Sequence, residues 1–141
     1  MHETPDTLAR RWFREVWVQG DETAIDRLMH PEGIAHGLAA EPIRGPEQFK
    51  PYYRALKTAL GGIKIEVLRT VVEGDVCAVH CQVKATHSGG TLGGPATGRA
   101  VDFCGVTILR VADGRVVEGW NCFDFLTMYQ QIGWVRNPVV P

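Results

Sequence analysis

The apolar residues of this sequence change their period once, at the glycine pair Gly61-Gly62. Before that pair they recur every three or four positions, as on amphipathic helices, and after it they alternate through four long segments, as in strands. Helices followed by a series of neighbouring strands are typical of the α+β class. We therefore expect a cone-shaped α+β barrel in one domain, residues 1–141, with N-terminal helices packed on a strongly curved antiparallel sheet that encloses a pocket.

The individual elements follow from the same pattern. Helices are predicted over residues 7–19, over a short segment at 24–29, and from Gly45-Pro46-Glu47 to Leu60. Strands are predicted over residues 63–72, 76–86, 100–111 and 115–123. The segment 31–46, rich in Gly and Pro, reads as a loop, and a helical turn is expected within 124–134 before an irregular end at Pro138 and Pro141.

The dipeptide Asp113-Gly114 predicts a tight hairpin between the last two strands. Opposed residues of a hairpin share a face. A two-residue turn pairs Ala112 with Arg115, and counting outward gives three further pairs: Thr107 with Trp120, Gly105 with Cys122, and Phe103 with Asp124. We therefore expect Phe103, Thr107, Trp120, Cys122 and Asp124 to line one surface, unless a bulge shifts the ladder.

Asp124 stands between Phe123 and Phe125 at the end of the last strand. A carboxyl in an apolar pocket has a raised pKa, which suits it to proton transfer. The same residue could instead cap the helical turn that begins at Phe125. The residues alone leave both interpretations open.

Three further side chains are candidates for the pocket. Tyr53 lies on the apolar side of the third predicted helix, and His36 lies in the loop before that helix. His80 lies mid-strand, on the polar side of the 76–86 segment, and the alternation does not decide whether this side is solvated or faces the pocket.

The charge, the cysteines and the histidines limit which partners, compartment and metal sites are expected. A formal net charge of −1 gives no general attraction to nucleic acid or to an anionic membrane. The four cysteines lack metal-site spacing and are expected to be buried free thiols, which favours the reducing cytoplasm. No apolar run approaches the ~20 residues of a membrane span, and the scattered histidines predict no metal site.

Several segments spread over nearly the whole chain match a known family. They are Ala9-Arg10-Arg11-Trp12-Phe13 with Trp17 and Gln19-Gly20-Asp21, Gly45-Pro46-Glu47 with Phe49, Thr86-His87-Ser88-Gly89, Pro95-Ala96-Thr97-Gly98-Arg99, Gly114-Arg115-Val116-Val117-Glu118 and Gln130-Gln131-Ile132-Gly133. Together they resemble the SnoaL-like polyketide cyclases and ester cyclases, within the nuclear-transport-factor-two-like superfamily.

This resemblance implies an α+β cone that commonly forms a homodimer through its sheet. It also implies ring closure by an intramolecular aldol reaction without metal or cofactor, with an aspartate near the end of the last strand as the acid/base. The matching position is Asp124. The first hypothesis is therefore an enzyme, a cyclase or isomerase acting on a hydrophobic carbonyl compound.

In that hypothesis Asp124 is catalytic, while apolar walls and polar contacts come from seven substrate-binding candidates: His36, Tyr53, His80, Phe103, Thr107, Trp120 and Cys122. Cys122 stands where such cyclases often carry a polar residue. Two alternatives on the same fold therefore remain: a non-catalytic domain for small-molecule binding or dimerisation, and a hydrolase similar to limonene-epoxide hydrolase, for which a water held by His80 or Asp102 near Asp124 would be evidence.

Overall fold

The computed structural model describes residues 3–136, so the irregular end expected at Pro138 and Pro141 lies outside the described residues. The helical elements are α1 (Pro5–Arg11), a π-helix (Trp12–Val18), α2 (Thr23–Leu28), α3 (Gly45–Ala59) and α4 (Phe125–Gln131). The strands are β1 (Met29–His36), β2 (Ile43–Arg44), β3 (Leu60–Glu73), β4 (Val76–His87), β5 (Ala100–Ala112) and β6 (Arg115–Phe123). No helix in this part of the chain is long and apolar enough to cross a membrane.

The first predicted helix has the expected span but changes its winding part-way. From Trp12 onward it is a π-helix, and the amide of Gln19 donates to the carbonyl of Arg14 at 2.8 Å. Lys57 of α3 donates to the carbonyl of Trp17 at 2.8 Å, which ties the end of this helix to α3. Trp12 then contacts Phe49 of α3, with ring centroids 5.3 Å apart.

The strands form one curved, open sheet in the order β2-β1-β6-β5-β4-β3. The α+β class is confirmed, but the sheet is mixed rather than wholly antiparallel, because β1 runs parallel to β6. The segment of β1 was predicted as a helix end followed by a loop. Its pairing is irregular between Met29 and Ile34, the stretch that contains Pro31, and proline lacks the N–H that a regular ladder requires.

The β5–β6 hairpin contains the bulge that decides which side chains face inward. Ala112 pairs with Arg115 as predicted, and Val111 pairs with Val116, but Arg110 then pairs with Glu118, which leaves Val117 as the extra residue. The ladder beyond it is shifted by one residue from the prediction. Its inward pairs are Thr107 with Asn121 and Gly105 with Phe123, whereas Ile108 pairs with Trp120 and Val106 with Cys122.

The core lies between the helices and the inner face of the sheet. Cys77, Val79, Cys81 and Val83 are the buried side of β4, so its other side, which carries His80, faces away from the helices. On β5 the buried positions include Phe103 and Thr107.

Candidate functional site

An apolar cavity lies between the N-terminal helices, α3 and the inner face of β5 and β6. The empty space between its walls is about 740 Å³, open mouth included, of which about 70 Å³ can hold the centres of water molecules. Most of its wall is aliphatic or aromatic, and the aromatic side chains are Trp12, Phe13, Trp17, Phe49, Tyr52, Phe103, Phe123 and Phe125. Such an apolar space favours a hydrophobic ligand.

A hydrogen-bonded polar pair, Thr107 and Asn121, forms part of this wall. The Thr107 hydroxyl donates to Oδ1 of Asn121 at 3.0 Å, and Nδ2 of Asn121 donates to the backbone carbonyl of His36 at 2.9 Å. A carbonyl oxygen can only accept, so the bond to His36 fixes which end of the amide carries the NH2 group. The second N–H of Asn121 has no acceptor within residues 3–136.

Tyr52 is the titratable side chain of the cavity wall. Burial raises the pKa of its hydroxyl well above the usual value, and the neighbouring Tyr129 adds to the rise. The hydroxyl is therefore a proton-bearing hydrogen-bond donor at neutral pH. Over the described part of the chain, no carboxylate or imidazole lines the cavity.

Asp124 is outside the cavity and acts as the N-cap of α4. Its Oδ1 accepts from the backbone N–H of Thr127 at 3.0 Å, and its Oδ2 accepts from the Thr127 hydroxyl at 2.6 Å. These bonds lower the pKa of Asp124, and the side chain is exposed. Of the two interpretations, that of a desolvated carboxyl with a raised pKa is wrong, because β6 ends at Phe123 as predicted and the carboxylate of Asp124 turns to the N-terminus of α4.

Trp120 and Cys122 lie on the outer face of the sheet, which corrects the prediction that they face the pocket. The bulge at Val117 is the reason. His36 is on the same outer face, stacked on Trp120 with ring centroids 5.6 Å apart, and its Nε2 lies 2.8 Å from Oε2 of Glu118. Thus His36 belongs to a surface cluster rather than to the cavity.

The remaining candidates divide between the cavity and other places. Phe103 and Thr107 line the cavity. Tyr53 is buried beside it but not in its wall, with its ring 5.1 Å from that of Trp17. His80 is on the outer side of β4, where it pairs with Val106. No group of three His, Cys, Asp or Glu side chains in residues 3–136 is placed to hold a metal ion.

Comparison with known proteins identifies the family. The model of the SnoaL-like polyketide cyclases matches residues 7–132, nearly the full length. This chain belongs to the SnoaL-like polyketide cyclase family. Aklanonic acid methyl ester cyclase DnrD of Streptomyces peucetius is 28% identical over 129 residues, which cover 89% of this chain and 88% of that protein. These similarities support a cyclase role.

Solved structures of SnoaL-like proteins have the same fold. A proposed cyclase from Jannaschia sp. CCS1 aligns with a TM-score of 0.84 at 25% identity, covering 94% of this chain and 93% of that one. IdmH, a proposed polyketide cyclase of Streptomyces antibioticus, aligns with a TM-score of 0.80 at 28% identity, covering 93% of this chain and 99% of that one.

Among the cavity residues that the sequence analysis of this SnoaL-like protein did not name as site residues are Tyr52, Asn121 and Phe123. Asn121 and Phe123 alternate with Gly119 on β6, so placing the bulge in the pair Val116-Val117 would have found both. Tyr52 adjoins the predicted Tyr53 on α3, and only the packing of that helix decides which of the two reaches the cavity.

Proposed function

We propose that this chain binds a flat, hydrophobic, carbonyl-bearing molecule of polyketide type in the cavity and promotes its ring closure without a cofactor. The observation that carries the proposal is the Thr107–Asn121 pair in a largely apolar wall. Few polar groups set in an apolar pocket are typical of sites that orient a ligand.

The aromatic wall supplies the affinity in this proposal. Phe123 and Phe125 have ring centroids 6.0 Å apart at 31°, and Phe103 lies 6.0 Å from Phe125. A planar ring system can stack against this cluster, and burial of apolar surface contributes about 25 cal/mol per Å². Folding a flexible ketide chain against such a wall brings its reacting carbons together, which lowers the entropic part of the barrier.

The spare N–H of Asn121 and the hydroxyl of Tyr52 supply the polar recognition. Both are donors, and a carbonyl oxygen is an acceptor. A donor fixed in an apolar, water-poor site stabilises negative charge that develops on that oxygen during the reaction. The hydrogen bond from Thr107 holds the Asn121 amide in place for this task.

The proposed reaction is an internal aldol addition. A carbon between two carbonyls loses a proton to water at the cavity mouth. Its electron pair then forms a bond to the carbon of another carbonyl group, elsewhere in the same molecule. The oxygen of that carbonyl then takes up a proton, so the product is an isomer of the substrate. Carbons flanked by two carbonyls are unusually acidic, so no carboxylate base is required in the cavity.

A non-catalytic binding domain is the second candidate, and one observation favours it. Within the described residues, no Asp, Glu or His side chain lines the cavity. The epoxide-hydrolase alternative has no such support. His80 is on the outer side of β4, and Asp102, whose Oδ1 accepts from Gln82 at 2.5 Å, is exposed.

We also propose a homodimer formed through the outer face of the sheet. Val106, Ile108 and Trp120 are each 40% exposed there on neighbouring strands. Exposed large apolar side chains grouped on one face are typical of protein interfaces. All four cysteines are free thiols, although Cys104 and Cys122 are exposed and not buried as expected, and free thiols support the proposal that the protein lies in the reducing cytoplasm.

The test uses aklanonic acid methyl ester, the compound named in the relative DnrD. We expect it to quench the fluorescence of Trp12 and Trp17 and to be converted to an isomer of equal mass that elutes separately. Asn121→Leu should reduce both signals, whereas Gln82→Leu, which also replaces a side-chain amide by leucine but on the outer face, should reduce neither. Quenching without conversion would favour the binding domain, and no quenching by this or related aryl ketones would refute the proposal.

A further inference from the structure

Gly105 of β5 lies directly beneath the ring of Phe123. The two residues are paired across β5 and β6. A Cβ atom added to Gly105 would overlap this ring, at 2.6 Å from both Cγ and Cε1. Carbon atoms do not approach so closely, so the Phe123 ring can occupy its position only because residue 105 has no side chain.

Phe123 is also part of the cavity wall. Gly105 belongs to the inward side of β5, the side that carries Phe103 and Thr107, and both neighbours line the cavity. A side chain at Gly105 would therefore come between the strand and the ring and push the ring away from the strand. The space on that side of the ring is the cavity.

We propose that Gly105 determines the size of the ring system that the cavity accepts, by letting the ring of Phe123 lie close against β5. This inference rests on the proposed function, because it assigns a specificity-determining residue to the same site. The preferred ligand class is a fused, multi-ring aryl ketone. A substitution at Gly105 should shift the preference toward single-ring ketones.

Two features of Gly105 confine the expected effect of Gly105→Ala to the ring of Phe123. Its backbone is not in the left-handed region that would itself strain alanine. The three atoms nearest to the new methyl group all belong to the ring of Phe123, so we expect the substitution to move this one ring. Gly119 of β6 is the matched control: it also lines the cavity, but a Cβ there meets Cδ2 of Leu109 at 3.2 Å, a flexible side-chain end.

The experiment measures the affinities of anthraquinone, with three fused rings, and acetophenone, with one, by quenching of tryptophan fluorescence. In Gly105→Ala we expect the affinity for anthraquinone to fall about tenfold, a typical effect of one methyl group in an apolar pocket, while the affinity for acetophenone changes less than about twofold. Phe123→Leu combined with Gly105→Ala should restore anthraquinone binding. Gly119→Ala should change the affinity ratio less than Gly105→Ala does.

Three results would overturn the inference: equal losses for both ketones, no restoration in the double variant, or an equal change of ratio in Gly119→Ala. A second measurement needs no ligand. In Gly105→Ala, NMR should detect that the Phe123 ring has moved away from β5 and has changed its proximity to the other side chains that line the cavity. If the wild type binds neither these ketones nor aklanonic acid methyl ester, the proposed function fails, and the ring position still decides whether Gly105 sets the size of the cavity.

Discussion

The hydroxyl of Thr107 on β5 donates to Oδ1 of Asn121 on β6 at 3.0 Å, across the wall of an apolar cavity. Thr107 is 2% exposed, and the Asn121 amide also holds the carbonyl of His36 at 2.9 Å. One amide therefore joins β5, β6 and the end of β1. The pair both shapes the polar part of the site and stabilises the sheet around it.

We expect Asn121→Leu to lower the free energy of unfolding by about 1–3 kcal/mol, because it leaves the Thr107 hydroxyl and the His36 carbonyl without their partner. Thr107→Val should cost less, since only one acceptor is left unpaired. The double variant should be more stable than the sum of the two losses predicts, which urea unfolding of all four proteins would measure. Strictly additive losses would show that the two side chains do not act as a pair.

The sequence was sufficient for the fold class and for the four long strands, because alternation over nine or more residues has no helical interpretation. β1 was not predicted, since Pro31 and Gly33 interrupt its pattern and its pairing with β6 is parallel and non-local. The cavity wall depended on a single bulged residue, Val117. Side chains alternate between the two faces of a strand, so one inserted residue exchanges the faces beyond it. The insertion has no signature of its own in the pair Val116-Val117, because both residues favour strands.

Tyr52 gives a prediction for alkaline pH. Burial raises its pKa in the folded protein, so between the unfolded value of about 10 and the folded value the unfolded chain binds fewer protons. Stability should therefore fall as the pH rises above about 10. Tyr52→Phe should flatten this part of the stability profile, measured by urea unfolding from pH 8 to 11, and should weaken ketone binding at neutral pH. An unchanged alkaline slope would mean that the hydroxyl is solvated.

Trp120 and Ile108 lie side by side on the outer face, and each is 40% exposed. If two copies meet there, Trp120→Lys places an unpaired charge in the interface, which costs several kcal/mol of association energy. We expect the wild type to sediment as a dimer and Trp120→Lys as a monomer of unchanged secondary structure. Leu126→Lys is the control, a similar change at an exposed apolar residue on α4. A wild type that is monomeric at high concentration would refute the dimer.

Variants of Asp124 distinguish a role in acid/base catalysis from a role in helix capping. Both of its carboxylate oxygens accept hydrogen bonds from Thr127. Because these bonds lower its pKa in the folded state, Asp124 stabilises the protein above the unfolded value of about 3.9, and this stabilisation is lost as the pH falls through the folded value.

Asp124→Ala should cost about 1 kcal/mol, the usual loss for an N-cap, and Asp124→Asn should cost less, because its side-chain oxygen can still accept from the Thr127 amide. If Asp124 acts only as the cap of α4, the Asp124→Asn variant should catalyse ring closure at nearly the wild-type rate over the pH range in which the protein is folded. A fall of about a hundredfold or more, in a variant of unchanged stability, would instead mean that this carboxyl moves protons in the reaction. Asparagine retains a hydrogen-bond acceptor and loses only the charge and the titratable proton. Comparison of Asp124→Asn with Asp124→Ala therefore separates helix capping from proton transfer.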